Sequence, residues 1–223
     1  NIGRNMAWLL KALGTTGQTL LVQPQHHTIG GNRGITWVTP LALSETGGRT
    51  DTASFGEATD AWDGPPADPY DIAKPPAPIP PYLRAWFSDN LASPYDILWK
   101  DFRSSPDIAK TWNLTVQWVP TAYAPTTVTI TWDSSILNAS EYDSVLLHNN
   151  TGVLVNMRTT NHYTFICPAY IPQAFTIVCT VDTTPPHITN HSPTSGETGD
   201  SYTFAATITD DYTASSQLTT SVN

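Results

Sequence analysis

The sequence predicts an all-β protein, an antiparallel sandwich with long ordered loops and a C-terminal strand segment. Three observations carry this. Side chains alternate between apolar and polar through most of residues 82–181, which puts one set on a core and the other in water. The alternating runs recur at short, regular spacing between turn residues, as sandwich strands do. The 223 residues include 34 Thr and 16 Ser, and the acids divide into 15 Asp and 4 Glu. Asp favours turns and caps whereas Glu favours helix interiors, so helix is expected to be scarce.

In chain order, Met6, Leu9, Leu10 and Leu13 have helical spacing between the cap signals Asn5 and Gly14. Trp8, Leu10 and Ala12 also alternate, and Thr19–Val22 is strand-like, so a hairpin through Gly14-Thr-Thr-Gly17 competes with the helix. Residues 24–34 read as a loop with His26 and His27, before a short strand at Ile35-Thr-Trp-Val38. Residues 44–81 show almost no periodicity, and prolines crowd between Pro65 and Pro81, which predicts irregular or polyproline-like chain. Its anchors Phe55, Trp62 and Tyr70 predict that this stretch is ordered over a sheet rather than being a free linker.

Strands are then expected at 82–87, 95–103 and 112–118. The last is the clearest, with Trp112, Leu114, Val116 and Trp118 inward and Asn113, Thr115 and Gln117 outward. Further strands are expected at 127–132, 143–148, 152–157, 161–167 and 174–181. Pairing the last two as a hairpin sets Tyr163 against Cys179, Phe165 against Ile177 and Cys167 against Phe175. The two cysteines then lie about 13 Å apart along the strands, beyond the roughly 7 Å Cα reach of a disulfide, so buried free thiols are predicted.

Composition excludes several functions. Ten Lys and Arg against 19 acids, a net charge of −9, argue against nucleic-acid binding, which runs on clustered cations. No apolar run approaches the roughly 20 residues of a membrane-spanning segment. With 39% hydrophobic residues the chain can bury a core. Two cysteines cannot form a disulfide framework, and no CxxC motif is present. Four sequons, at Asn113, Asn138, Asn149 and Asn190, point to an extracellular or cell-surface glycoprotein. The segment Met6–Leu13 is broken by Lys11 and lacks a small-residue cleavage site, so it is not a signal peptide, and the start at Asn1 suggests a processed or excised chain.

The motif order then becomes informative. Phe55-Gly-Glu-Ala-Thr-Asp-Ala-Trp-Asp63, Tyr70-Asp-Ile-Ala-Lys-Pro-Pro76, Tyr82–Phe87, Trp99-Lys-Asp-Phe-Arg103, Trp112–Val116 and Val128-Thr-Ile-Thr-Trp-Asp133 follow one another. Val145–Arg158, Tyr163-Thr-Phe165 and Phe175-Thr-Ile177 complete the series. Together they resemble an immunoglobulin-like or fibronectin-like β-sandwich module of secreted and cell-surface multidomain proteins of archaea and bacteria. The resemblance spans residues 7–181 and implies fold and location more than activity. It implies that the first segment is a strand bearing Trp8, and it has no counterpart for residues 24–50. A 1–181 sandwich module is thus expected. Beyond it, residues 182–223 look like a linker opening another immunoglobulin-like module, and they are too few to close a core of their own. They form part of a second module or an exchanged strand.

Candidate sites follow from residue chemistry. Asp60, Asp63, Asp68 and Asp71 crowd a Gly/Pro-rich loop, where oxygen ligands could hold a structural Ca²⁺, although Asp beside Gly and Pro is also ordinary turn chemistry. No other cofactor is expected. His187 and His191 lie in extended chain and read as surface residues rather than a zinc face. Trp8, Trp86, Trp99, Trp112, Trp118 and Trp132 have core parity, which leaves Trp37 and Trp62 as candidate sugar-stacking platforms. No nucleophile elbow, P-loop, dinucleotide fingerprint or HExxH is present, so no catalysis is expected.

The expected function is a non-catalytic structural or adhesive protein, either in a multidomain surface protein or as the subunit of a surface filament or layer. Tyr202, Phe204, Ala206 and Ile208 alternate like a strand with one apolar face, suited to insertion into a neighbour's open sheet. The expected partners are further copies, neighbouring domains of the same protein, or glycans. The alternative is a carbohydrate-binding or accessory module of a secreted hydrolase.

Overall fold

The computed structural model describes residues 34–191, 195 and 206–210, and over these the protein is all-β with one short helix. The strands are β1 (Ile35–Glu45), β2 (Thr50–Ala58), β3 (Ile72–Ala73), β4 (Tyr82–Ser88), β5 (Leu98–Ser104), β6 (Ala109–Val119) and β7 (Thr126–Thr131). Helix α1 (Ser134–Ala139) precedes β8 (Ser144–Asn149), β9 (Gly152–Asn156), β10 (His162–Cys167) and β11 (Gln173–Thr180). β12 (His187–Asn190) and β13 (Ala206–Thr209) follow. One compact unit runs from Gly31 to Asp182, and the described residues from Thr183 onward belong to another. The expected strand with Trp8, the loop histidines His26 and His27, and Tyr202 and Phe204 lie outside the described residues.

The first unit is one continuous sheet in the order β10-β7-β1-β2-β5-β4-β6-β11-β8-β9, with β3 added on β5. It is mixed rather than wholly antiparallel. β2 and β5 run parallel from Ser54↔Lys100 to Ala58↔Ser104. A parallel pair needs a long crossover, and residues 59–97 supply it. The sheet curls over one main core, with a small second cluster of Ala58, Ala61 and Phe102 beside it. Trp37 of β1 meets Trp112 of β6 at 5.7 Å between ring centroids, Phe55 of β2 meets Trp112 at 5.2 Å, and Phe165 of β10 meets Phe175 of β11 at 4.9 Å. Just past β10, Ala169 makes a parallel bridge to Trp118 of β6, bringing one end of the strand order back towards its middle.

Alternation explains most strands. In β6, Lys110, Trp112, Leu114, Val116 and Trp118 are buried, and in β11 Phe175, Ile177 and Cys179 are. The strand expected at 35–38 runs on to Glu45, with Trp37, Thr39, Leu41 and Leu43 inward despite Pro40 on the outer face. The stretch expected to be irregular from residue 44 contains β2, which turns back from β1 through Gly48 at φ +89°. β2 hides from periodicity because its last four residues, Phe55, Gly56, Glu57 and Ala58, are all buried. At Gly56 a Cβ would lie 2.3 Å from the Trp37 carbonyl oxygen, so only glycine permits this approach of β1 to β2.

The expected β10–β11 hairpin does not form. Tyr163, Phe165 and Cys167 pair with Ile130, Val128 and Thr126 of β7. β11 lies between β6 and β8, with Cys179 opposite Lys110 and Val145. The Pro168–Pro172 connection is no tight turn, and it carries the chain across the core, so the two strands meet face to face instead of edge to edge. Cys167 and Cys179 are nevertheless both free and buried.

In the second unit β12 and β13 form a two-stranded antiparallel sheet from His187↔Thr209 to Asn190↔Ala206. Among the described residues of these strands, Ile188 and Ile208 alone are half-buried and lie opposite each other, and Ala206 is exposed.

Candidate functional site

The Asp-rich loop between β2 and β3 is held down by its own carboxylates. Asp68 Oδ1 accepts from the backbone N–H of Tyr70 (2.7 Å) and Asp71 (3.1 Å), and its Oδ2 accepts from Trp62 N–H (3.0 Å). Asp71 accepts from Asp68 N–H (3.1 Å) and reaches Phe102 N–H in β5 (3.3 Å). Asp60 accepts from the Tyr70 hydroxyl (2.5 Å). Asp63 accepts from Ser104 N–H (2.9 Å) and from the Lys110 ammonium. The loop therefore brings the four predicted acids together as acceptors of N–H and O–H groups, and lays Tyr70 on Phe102. Among the described residues no group of three or more His, Cys, Asp or Glu is placed to hold a metal ion.

Beneath the loop lies a charge network that the sequence reading missed. Arg103 is buried between Asp89 (2.8 Å) and Asp101 (3.2 Å). Arg103 Nη2 donates to Asp101 Oδ2 (3.3 Å), while Arg103 Nε and Asp101 Oδ1 face each other without an aligned hydrogen bond. Burial pushes Asp101 up to about 7 against the pull of Arg103, and burial raises Asp71 to about 6. Asp63 goes the other way: burial would raise it, but the hydrogen bonds from Lys110 and Ser104 hold it below the ordinary carboxylate range.

A second buried acid, Glu57 of β2, sits inside the aromatic core. Tyr142 donates its hydroxyl to Glu57 Oε1, and Trp37 Nε1 donates to Oε2 at 3.2 Å. Burial, with the neighbouring Glu141, raises Glu57 to about 9, so it carries a proton at neutral pH. Glu141 in turn accepts from the Ser105 hydroxyl (3.1 Å). Every atom of the Glu57 carboxyl is occupied by protein. Its sequence signal, one Glu in a short run of small residues, resembles an exposed turn.

The tryptophans require correction. Trp37, expected to be exposed, is buried, because β1 runs on as a regular strand to Glu45 and Trp37 falls on the same inward face as Leu41 and Leu43. Trp62 is 41% exposed, with Nε1 donating to Pro66 O at 2.6 Å. Trp99, expected in the core, is 37% exposed, because Leu98 takes the inward position in β5. Trp86 is half-buried, because Leu83, Ala85 and Phe87 form the inward set of β4. Trp112, Trp118 and Trp132 are core residues.

Trp99 opens onto a groove of about 350 Å³ between the start of β2, the Pro75–Pro81 segment and β4. Its lining includes Arg49, Asp51, Lys74, Tyr82, Arg84 and Trp99. Three of the chain's ten Lys and Arg meet there with a single acid, Asp51, which pairs with Lys74 at 2.8 Å. Trp99 Nε1 donates to Thr52 Oγ1 (3.2 Å), and Lys74 Nζ stands 6.0 Å from the ring centroid. No single segment carries this site, which exists only because β2, β5 and β4 are neighbours in the sheet.

The sequons differ in geometry. Asn113 is exposed on β6 and makes one long contact, to Ser88 O at 3.5 Å. Asn149 lies at the β8–β9 turn, with Oδ1 accepting from Thr151 N (2.9 Å) and Oγ1 (2.6 Å). Asn138 is exposed, but both amide atoms engage Arg158, through its carbonyl (3.0 Å) and its Nε (3.0 Å). Asn190 ends β12 and is exposed, as are His187 and His191. Comparison of the chain with protein-family models, curated proteins and solved structures finds no match.

Proposed function

We propose that the protein is a non-catalytic structural or adhesive module of a cell surface, an immunoglobulin-like sandwich that joins to copies of itself, or to neighbouring domains, through the 182–223 segment. The observation that carries this reading is the β12–β13 ribbon. Among the described residues the ribbon has two strands, and two strands alone are marginal in water and need a third strand or a packed face. The ribbon has one apolar pair, Ile188 and Ile208, to offer such a partner. Strand addition uses main-chain hydrogen bonds with alternate side chains in pockets, and head-to-tail repetition of it builds open filaments.

Two further features support the reading. Asp60, Asp63, Asp68, Asp71, Asp89 and Asp101 of the Gly31–Asp182 unit serve as hydrogen-bond acceptors or ion partners in its framework. Sequons on exposed or half-buried positions at Asn113, Asn138 and Asn149 suit an extracellular setting. Negative-stain electron microscopy of the full chain beside a chain lacking 182–223 tests the proposal. Filaments or sheets in the first and monomers in the second are expected, and assembly that survives the deletion would overturn it.

The alternative reading, a carbohydrate-binding or accessory module, is favoured by the exposure of Trp62 and Trp99 in place of the buried Trp37.

A further inference from the structure

We infer that the groove under Trp99 is a binding site for an acidic carbohydrate, a chain of uronic acid or similarly charged sugar units. This goes beyond the structural role proposed above and does not depend on strand exchange. In a chain of net charge −9, three cations gather on one groove. Lys74 is neutralised by Asp51, which leaves the two arginines to face a ligand. Among the described residues the Arg49 guanidinium makes no hydrogen bond or ion pair, although Glu45 stands near enough to feel its charge. Arg84 is held in place: Nη2 donates to Pro75 O at 2.7 Å, and the guanidinium lies 5.8 Å from the Trp86 ring centroid. A fixed guanidinium fork matches a carboxylate in two-point geometry.

Shape and wall chemistry narrow the class. The volume falls at the lower end of the about 300–1,000 Å³ usual for small-molecule pockets. Trp99 offers an anchored indole on which the C–H face of a sugar ring can stack. The wall from Pro75 to Pro81 is mostly proline, with Pro75, Pro76, Pro78 and Pro81 lacking a backbone N–H and Ile79 alone among its lining residues keeping one. An acidic peptide bound by strand addition would need those donors. A sugar acid needs only what is present, namely an aromatic face, carbonyl oxygens for its hydroxyls and guanidinium groups for its carboxylate.

Isothermal titration calorimetry with hexagalacturonate as probe and maltohexaose as neutral control tests this. Hexagalacturonate is expected to bind, more weakly as salt rises, and maltohexaose at least about tenfold less well. Trp99→Ala and Arg49→Ala are each expected to weaken hexagalacturonate at least about tenfold. Melting temperature reports whether each variant is folded, and Arg49, having no partner to lose among the described residues, serves if Trp99→Ala does not fold. Equal affinity for both sugars, no binding of hexagalacturonate by the parent chain, or undiminished binding by Arg49→Ala would overturn the site. So would loss of self-association in Arg49→Ala, measured by sedimentation, without sugar binding by the parent chain. That result would assign the groove to an acidic surface of a second copy.

Discussion

Glu57 has no water into which to ionise. Its folded pKa of about 9 stands against an ordinary value near about 4.3 in the unfolded chain. Between those values the folded state holds a proton that the unfolded state has released. Its contribution is therefore complete below about pH 4 and is lost as pH rises towards 9, with a slope of up to about 1.4 kcal/mol per pH unit for one proton. Asp101, raised to about 7, acts in the same direction over the lower part of that window. The thiols of Cys167 and Cys179, pushed up by burial, add to the loss only at higher pH. Urea unfolding between pH 5 and 8 is expected to show stability falling throughout. Glu57→Gln should flatten the segment between pH 7 and 8, and an unchanged slope there would assign the proton elsewhere. Gly56, next to it, yields a separate prediction. Gly56→Ala drives a methyl into the Trp37 carbonyl and should cost about 3 kcal/mol or more, read as a lower urea midpoint.

Among the elements, those legible in the sequence have one wet face and one dry face. β6 shows this in Trp112, Leu114, Val116 and Trp118, and so does β11 in Phe175, Ile177 and Cys179. β2 was illegible because a glycine and an acid stand where hydrophobes would signal a buried strand. The β10–β11 hairpin was misread because alternation gives the face of a strand but not its neighbour. For the same reason the groove could not be foreseen: alternation assigned Trp99 to the core, nothing marked Arg49 or Arg84, and only sheet order joins them. The Asp loop was legible as a cluster, and its hydrogen bonds now supply the prediction. Asp68 accepts from three backbone N–H groups, so Asp68→Ala should cost about 2–3 kcal/mol at about 1 kcal/mol each. Limited proteolysis of that variant should cut within residues 59–71 before anywhere else in the Gly31–Asp182 unit. Because these oxygens are already engaged, chelator or added Ca²⁺ should move the parent chain's melting temperature by less than about 2 °C. A larger rise with Ca²⁺ would mean that the loop reorganises around the ion.

Among the described residues, the contrast at the scale of the whole molecule lies between a unit with a deep aromatic core and a ribbon with one isoleucine pair. If the ribbon segment completes a neighbour's sheet, association stabilises the folded state by mass action, and every tenfold rise in chain concentration above the dissociation constant adds about 1.4 kcal/mol. For a chain of this size that corresponds to roughly 3–6 °C in melting temperature. Full chain measured across a hundredfold range of concentration should therefore melt at progressively higher temperature, while a chain ending at Asp182 should melt at one temperature throughout. The comparison separates strand exchange from the other partner the ribbon could have. A neighbouring domain of the same polypeptide would cover Ile188 and Ile208 within one molecule, which leaves the melting temperature independent of concentration. A constant melting temperature in the full chain would thus move the partner of β12 and β13 from a second copy to the same protein.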